Sequence, residues 1–405
     1  MKNNQNYNFP IDWEVKKLGE IGECIIGLTY SPNDVVETGG TLVLRSSNIR
    51  GSSIVLNDKD NVYVDMKLPE KVKVRVGDIL ICSRNGSRNL IGKNAIVPDV
   101  DEDIAFGAFM TVFRSSENEY VHQLLQTDFF RRQVHQNLGA TINQLTSKDL
   151  NSFAFTFPSN TEQQKIANIL STWDKAMVLK EKLIEEKKKQ KSGLMQKLLT
   201  GKVRLPGFNG EWEFAELSTV CDKVTRCIDK PSEPYYRLGL RSHAKGTFHE
   251  YVENPDDNSM DKLYIVKEND LIVNITFAWE HAIALAGSND DGKLVSHRFP
   301  TYLFKDNAEP RFYKHYVMQS KFKKMLDDIS PGGAGRNRVM NQKSFLKLMV
   351  HIPSLEEQKA IANVLDLLNK EISLHQSELD SLKQQKKGLM QLLLTGIVRV
   401  SVETN

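Results

Sequence analysis

Long apolar runs and secretion signals are missing from this sequence. No stretch of about 18 apolar residues, the minimum for a membrane-spanning helix, occurs in its 405 residues. The first seven residues, MKNNQNY, are polar and unlike a charged-then-apolar leader. The sequence therefore predicts a soluble, cytoplasmic protein that makes no membrane contact and is long enough for two domains with their own cores.

Cysteine is also scarce. The chain has four, none of them in a Cys-x-x-Cys pair: Cys24, Cys82, Cys221 and Cys227. Free thiols in a reducing compartment explain them. His243 and His249 follow the last two, but these spacings fit no compact zinc knuckle. We therefore predict no metal site.

Catalytic signatures are missing as well. Residues 86–94 resemble a phosphate loop, but five residues separate its glycines instead of four, and Asn94 stands where Ser or Thr must meet magnesium. Residues 254–257 read NPDD and depart from an adenine-methylation motif at the third position. The nine histidines form no His-Glu-x-x-His zinc motif. We predict that the chain is not an enzyme on its own.

The sequence lacks a strong excess of one charge. Its formal net charge is +3 and its pI is near 8.4. A free-standing nucleic-acid-binding domain is expected to have a pI above about 9. Any DNA-binding surface must therefore be a local basic patch, or a partner protein must share in binding the DNA.

The sequence does contain an internal repeat, a stretch that occurs twice. Residues 158–170 read PSNTEQQKIANIL, and residues 353–365 read PSLEEQKAIANVL. The likeness runs without a gap to GLMQ at 193–196 and 388–391, at a constant offset of 195 positions. Proline precedes each copy and Leu-Thr-Gly closes it, so each copy is predicted to be one long helix, the first from about 161 to 199.

Both helices carry apolar residues at alternating spacings of four and three, the coiled-coil period. In the first helix these seam residues are Ile166, Leu170, Trp173, Met177, Ile184, Leu194 and Leu198. In the second they are Ile361, Leu365, Leu368, Ile372, Leu379, Leu382, Leu389 and Leu393. Each helix alone could be an amphipathic helix packed on its own domain. Two copies that share one seam favour pairing with each other.

The repeat includes more than the helices, since a Trp-Glu opening at residue 13 recurs at residue 212. The tail at 397–400 matches 202–205, which lead into the second opening, and residues 8–13 resemble the far side of that linker. The repeat is therefore circular. We expect both chain ends to lie near each other and the body to have an approximate two-fold axis.

Short runs typical of strands predict a small mixed sheet in the first half, at residues 42–44, 72–76, 79–82, 94–97 and 110–113. A helix is predicted over 119–138, matched by 311–326 in the second half. The second half repeats this order, with 271–276 in place of 79–83.

The sequence thus predicts an α+β protein with two pseudo-repeated domains, each a small mixed sheet with helices, at 1–157 and 206–352. Two long helical segments, 158–205 and 353–400, separate them and form an antiparallel coiled coil.

Basic and amide-rich loops occur in both halves. Arg reads guanine bidentately, Asn reads adenine, and Ser or Thr binds phosphate, so these are the residue types of a major-groove reader. The candidates for DNA binding in the first half are Arg45, Asn48, Arg84, Asn85, Ser87, Arg88, Lys93 and Asn143. Those in the second half are Arg241, His243, Lys245, Trp279, Arg336, Asn337 and Arg338. The alternative for any single loop is a solvated surface turn.

The repeated pattern PSxxEQxxIANxL, followed in each copy by KxGLMQxLLTG, and the two Trp-Glu openings resemble the DNA specificity subunit of type I restriction-modification systems. The resemblance spans the whole chain. It is specific in the helical repeats and weak between them, where members of that family differ because each reads a different sequence.

The resemblance implies two target recognition domains, held apart by a coiled-coil spacer, that each read one half of a bipartite double-stranded DNA site. It also implies two modification subunits that bind S-adenosylmethionine and methylate adenine, and two restriction subunits that use ATP and Mg. This chain itself is then expected to need no cofactor. The spacer helices are expected to act as a ruler between the half-sites.

Two other functions stay open on the residues alone. One is a scaffold that reads no DNA and clamps two copies of a partner protein with its coiled coil. The other is a restriction enzyme fused to its own catalytic domain, which is disfavoured because nothing remains outside the two repeats to hold such a domain.

Overall fold

The structure is a computed structural model that describes residues 9–56, 60–100, 102–139, 143–332 and 338–401. The chain forms two compact units. The first contains the chain up to residue 182 together with the part from residue 377 onward, and the second is Leu183–Gln376. The first unit is therefore discontinuous in sequence.

The first unit is built on two four-stranded sheets. One is antiparallel, and its strands in order of pairing are Glu23–Ile26, Met110–Arg114, Ile79–Cys82 and Asn94–Ile96. The other is mixed, with strands Ile104–Phe106, Thr41–Leu44, Val62–Val64 and Val35–Val36. Two strand pairs complete the unit: Glu14–Lys17 with Ala154–Phe157, and Ile49–Arg50 with Ser53–Ile54. The predicted α+β architecture is confirmed, and the strands predicted at 42–44, 79–82, 94–97 and 110–113 are divided between the two sheets.

The second unit repeats the antiparallel sheet with strands Cys221–Val224, Thr301–Phe304, Leu271–Val273 and Ile283–Leu285. Leu271–Val273 takes the place that Ile79–Cys82 has in the first unit, as the repeat predicted. The mixed sheet has five strands here: Cys227–Asp229, Lys262–Ile265, Leu294–Val295, Tyr235–Leu240 and Thr247–Val252. Glu213–Glu216 pairs with Met349–Ile352.

Short helices flank the sheets in both units. In the first they are Leu18–Ile21, Asn118–Leu125, Asp128–Asn137 and Ser147–Ser152. In the second they are Pro310–Tyr316, Ser320–Asp328 and Gln342–Phe345.

The single helix predicted over 119–138 is wrong, because the structure has two helices there, which meet at Thr127. The Thr127 hydroxyl accepts from the Phe130 N–H at 3.3 Å and donates to the Leu124 carbonyl at 2.6 Å. One residue thus ends the first helix and caps the second, and threonine is a preferred N-cap.

The strand predicted at 72–76 is also wrong. Residues Glu70–Val72 form a 3-10 turn after Pro69, and only Lys73 makes an isolated bridge, to Ala105. The alternation of valine with charged residues mimics a strand. The valines alternate with charged residues here because their side chains face the core: Val72 is buried, with 3% of its surface exposed, and Val74 is partly buried against the same cluster.

The two long helices span Asn160–Leu198 and Leu355–Leu394. In the first unit the start of the first helix lies against the end of the second, where Asp174 binds Lys386 and Lys180 binds Glu378. In the second unit the end of the first helix meets the start of the second, where Lys187 lies 2.7 Å from Glu371. The predicted antiparallel pairing is confirmed in each unit.

The long helices belong to the cores of the units. Ile166, Leu170 and Leu393 pack in one cluster with Phe113 and Phe157 of the first unit. Leu198, Ile361 and Leu365 pack in the equivalent cluster of the second. Every predicted seam residue is buried or half-buried.

Each long helix begins with a buried glutamate that an arginine neutralises. Glu162, 1% exposed, accepts from Arg399 at 2.6 and 2.7 Å. Glu357, also 1% exposed, accepts from Arg204 at 2.6 and 2.7 Å. These hydrogen bonds to carboxylates raise the pKa of both guanidinium groups. A carboxylate in the first helical turn is also stabilised by the helix dipole.

The same arginines bring the linkers onto the domain openings. Arg399 also binds Asp12 at 2.9 Å and lies 5.8 Å from the Trp13 ring, whereas Arg204 lies 5.5 Å from the Trp212 ring. Gly396 takes a left-handed φ of 72° and approaches Pro10 so closely that a Cβ atom would be 2.5 Å from Pro10 Cγ. Residues 10–13 and 396–399 therefore lie side by side, as the circular repeat predicted, whereas residues 1–8 and 402–405 at the ends lie outside the described residues.

We expect E162Q to lower the free energy of unfolding by about 1 to 3 kcal/mol, because charge-assisted hydrogen bonds to Arg399 are lost. The loss is not larger because the guanidinium of Arg399 is partly exposed to water, which screens the ion pair. Urea denaturation of the full chain measures this. The matched control is E186Q, which breaks an exposed pair with Lys189 in the same helix and should cost less than about 0.5 kcal/mol. Equal losses in the two variants would contradict the role assigned to Glu162.

Candidate nucleic-acid interface

Three loops that are far apart in sequence meet in the first unit. Residues 45–51 follow strand Thr41–Leu44, residues 83–93 join two strands of the antiparallel sheet, and residues 139–144 follow helix Asp128–Asn137. Residues 140–142 lie outside the described residues.

Asn85 holds the three loops together. Its Nδ2 donates to the Ser46 hydroxyl at 3.1 Å, and its backbone N–H donates to the Asn143 carbonyl at 3.3 Å. Its Oδ1 accepts from the Ser87 N–H at 2.9 Å, which shapes its own loop. Asn143 returns a hydrogen bond to the Gly86 carbonyl at 3.1 Å. The loops therefore form one surface.

Basic groups lie on or beside this surface. The guanidinium of Arg84 stacks over the Phe109 ring at 5.0 Å, and Phe109 is 59% exposed. Ser87 and Arg88 are exposed, while Lys93 is half-buried and donates to the Ser46 carbonyl at 3.4 Å. Sequence analysis missed Phe109, because a phenylalanine between two core strands reads as a core residue.

Two of the predicted residues shape the loop. Asn48 is 1% exposed, accepts from the Arg45 N–H at 2.9 Å and donates to Val55 and Asn61. Arg45 is half-buried and donates to the Asp60 carbonyl at 3.1 Å. Asn48 thus folds the loop instead of presenting its amide at the surface.

The second unit brings its loops together in the equivalent place. The turn Ala278–Glu280 joins Leu271–Val273 to Ile283–Leu285, as residues 83–93 do in the first unit. The His243 N–H donates to the Glu280 carbonyl at 2.8 Å, and the Ser242 hydroxyl binds the Glu280 carboxylate at 2.5 Å. Residues 241–247 are thereby fixed to this turn.

The backbone of these loops is strained. His243, Ala244 and His281 have φ values of 63°, 51° and 66°, in the left-handed region that favours glycine. Hydrogen bonds hold them there, since the Ala244 N–H donates to the His281 carbonyl at 2.8 Å and His281 Nε2 donates to the Val317 carbonyl at 2.6 Å. Burial lowers the pKa of His281. Strain held in this way is typical of functional loops.

Arg338 belongs to a third loop of this surface and lies against Trp279 of the turn Ala278–Glu280. The Arg338 guanidinium lies 5.3 Å from the Trp279 ring and binds Asp327 at 2.6 Å. Arg241 stacks at 5.2 Å on the exposed Phe248, and Lys245 and His243 are exposed. Arg336 and Asn337 lie outside the described residues.

The stretch that resembles a phosphate loop contains a 3-10 turn, Arg88–Leu90, and leads into strand Asn94–Ile96. Asn94 is buried and donates to the Gly92 and Leu125 carbonyls at 2.9 and 3.1 Å, so its side chain faces the core. Burial raises the pKa of the Cys221 thiol to about 12, which disfavours the thiolate needed in a zinc site. Within the described ranges, no group of three His, Cys, Asp or Glu side chains could hold a metal.

In the part of the chain that the structure describes, no helix is both long enough and apolar enough to span a membrane.

Comparison with known families finds one family model that matches the chain twice and covers most of it. The family described as Type I restriction modification DNA specificity domain matches residues 10–188 and again 209–384. The two matches cover the sheets of both halves and most of each long helix.

Similar proteins have names of the same kind. A Methanocaldococcus jannaschii protein named putative type I restriction enzyme MjaX specificity subunit is 28% identical, over 96% of this chain and 95% of its own length. The MjaVIII specificity subunit of the same organism is 24% identical, over 96% and 94%. The solved S subunit of a type I system from M. genitalium has a TM-score of 0.57 at 14% identity, covers 97% of this chain and 98% of its own, and shares the fold.

Proposed function

The chain belongs to the type I restriction modification DNA specificity family, and from that membership we propose that each unit reads one half of a bipartite double-stranded DNA site. The family is non-catalytic and provides sequence specificity to a type I restriction-modification system. We assign recognition to residues 1–157 and 206–352, and spacing to the helical segments 158–205 and 353–400.

One observation carries the proposal. In both units, loops at the ends of equivalent strands converge into one surface that presents arginine stacked on an aromatic ring: Arg84 on Phe109, and Arg338 on Trp279. Arginine and asparagine are the main readers of base edges, and aromatic rings orient arginine. Arg84, Ser87, Arg88, Arg241, His243 and Lys245 are exposed at these surfaces.

We assign different tasks within these surfaces. The exposed cations contact bases or phosphates, whereas Asn48 and Asn85 fold the loops that carry them. Arg338 binds Asp327 as well as facing Trp279, so it ties its loop to helix Ser320–Asp328.

The scaffold alternative is not favoured. A protein that only clamps partners needs the helices but not the loops, and the family match extends over the sheets of both halves. We propose two modification subunits that use S-adenosylmethionine and two restriction subunits that use ATP and Mg as the partners.

The purified chain should transfer no methyl group to DNA, and methylation of adenine should appear when the modification subunit of its own system is added. The reason is the division of labour in this family. Transfer of labelled methyl groups from S-adenosylmethionine to duplex DNA measures it. Methyl transfer by the chain alone would refute the proposal.

Alanine at Arg84 and Arg88 should relax one half-site, and alanine at Arg336 and Arg338 should relax the other. Loss of a bidentate guanine contact costs about 1 to 3 kcal/mol of binding free energy at one base. Loss of a phosphate contact weakens binding to all sequences alike and reduces the slope of log affinity against log salt concentration by about one. Binding titrations of the assembled complex at several salt concentrations separate the two cases.

The matched control is R131A, which removes an exposed arginine of the first unit outside the three loops. It should leave affinity and methylation pattern unchanged. Unchanged affinity and pattern in all four loop variants would mean that these arginines do not contact DNA.

Exchange of residues 1–157 for the first half of another family member should change one half-site and leave the other as it was. The basis is that the loops converge within each unit. Genome-wide mapping of methylated adenines reads out both half-sites at once. If both changed together, one domain would not correspond to one half-site.

A further inference from the structure

An ion pair between a buried lysine and a half-buried aspartate interrupts the apolar seam in the first unit. Lys386 of the second long helix is 5% exposed, and its Nζ lies 2.7 Å from both carboxylate oxygens of Asp174 on the first. Such a pair adds little stability compared with apolar residues that fit, but leaving the lysine buried and unpaired is costly. It therefore penalises every other alignment of the two helices, as single polar residues do in coiled coils.

The same carboxylate binds a third element. Gln123, 2% exposed, donates from Nε2 to Asp174 at 3.1 Å. Gln123 lies on helix Asn118–Leu125, whose Tyr120 and Leu124 pack in the core beneath the antiparallel sheet. Asp174 thus joins both long helices to the helix that carries the recognition sheet.

The second unit contains an equivalent arrangement around Asp366. His315, 1% exposed, has its Nε2 3.0 Å from Asp366, and Arg311 donates to it at 3.4 Å. Both lie on helix Pro310–Tyr316, which corresponds to Asn118–Leu125. Burial and Lys314 lower the pKa of Lys191 on the first long helix, whereas the negative charge of Asp366 raises it.

The two arrangements share chemistry but not position. The lysines correspond in the repeat, whereas Asp366 corresponds to Ser171 and Asp174 corresponds to Asn369. The carboxylate is therefore displaced by three residues, about one helical turn. In both units it still binds the recognition helix, although the repeat does not dictate its place.

We propose that Asp174 and Asp366 are positioning residues that set the orientation of each recognition sheet on its long helices, and thereby the spacing between the half-sites that the complex accepts. Neither contacts DNA. This inference rests on the proposed function and adds which side chains set the spacing.

The test removes the buried pair without leaving a lone charge. D174L combined with K386M replaces it with apolar side chains, which keep the helices paired. In the assembled complex, mapping of methylated adenines should show unchanged half-site sequences. Methylation at spacers one base pair shorter or longer should rise from background to roughly a tenth of that at the original spacer, a difference of about 1.4 kcal/mol.

The matched control is E181Q with K383M, which breaks an exposed ion pair between the same two helices at 2.9 Å. It should keep the original spacer. A D174L/K386M complex with the original spacer alone would overturn the proposal, and so would a change in half-site bases.

A second variant covers the case in which D174L/K386M does not fold. Q123M leaves the ion pair intact and removes only the contact to the recognition helix, so it should relax the spacing in the same way. If the Q123M complex keeps a single spacer, the proposal is wrong.

The purified chain provides a readout that needs no DNA. Loss of the Gln123 contact should speed amide hydrogen exchange in Asn118–Leu125 by about tenfold, because the helix opens more often. Unchanged exchange in Q123M overturns the positioning role. A wild-type complex that methylates no bipartite site would instead refute the proposed function, so the two failures differ.

Discussion

A buried carboxylate at the start of each long helix requires an arginine, and the arginine comes from the segment that follows the other long helix. Glu162 and Arg399 meet in the first unit, and Glu357 and Arg204 meet in the second. The end of one helix must therefore reach the beginning of the other, which makes the pairing antiparallel. The indole rings of Trp13 and Trp212 then pack on these arginines, so the first strand of each half begins at a helix junction.

The long helices could be predicted from the sequence almost to the residue, because their signals are local. A seam of period 3.5, a proline before it and a glycine after it lie within one continuous segment. The break at Thr127 had a local signal too, since Thr-Asp is a typical helix start. The apolar periodicity across 119–138 concealed it.

The proposed recognition surfaces could be predicted only as residue types. Ser46, Asn85 and Asn143 touch in the structure but are separated by dozens of residues, and no periodicity connects them. The burial of Asn48 and the exposure of Phe109 follow from the packing of loops against sheets. Composition predicts a reader of nucleic acid in these loops, whereas tertiary contacts decide which side chains are presented and which support them.

The discontinuity of the first unit has a consequence for synthesis on the ribosome. The second unit, Leu183–Gln376, is one continuous segment, whereas the first needs residues from 377 onward that emerge after the whole second unit. Domains usually fold in the order in which they are made. Here the core that contains Ile166 and Leu170 lacks Leu393 until the end of the chain has been made, so the unit that is started first is completed last.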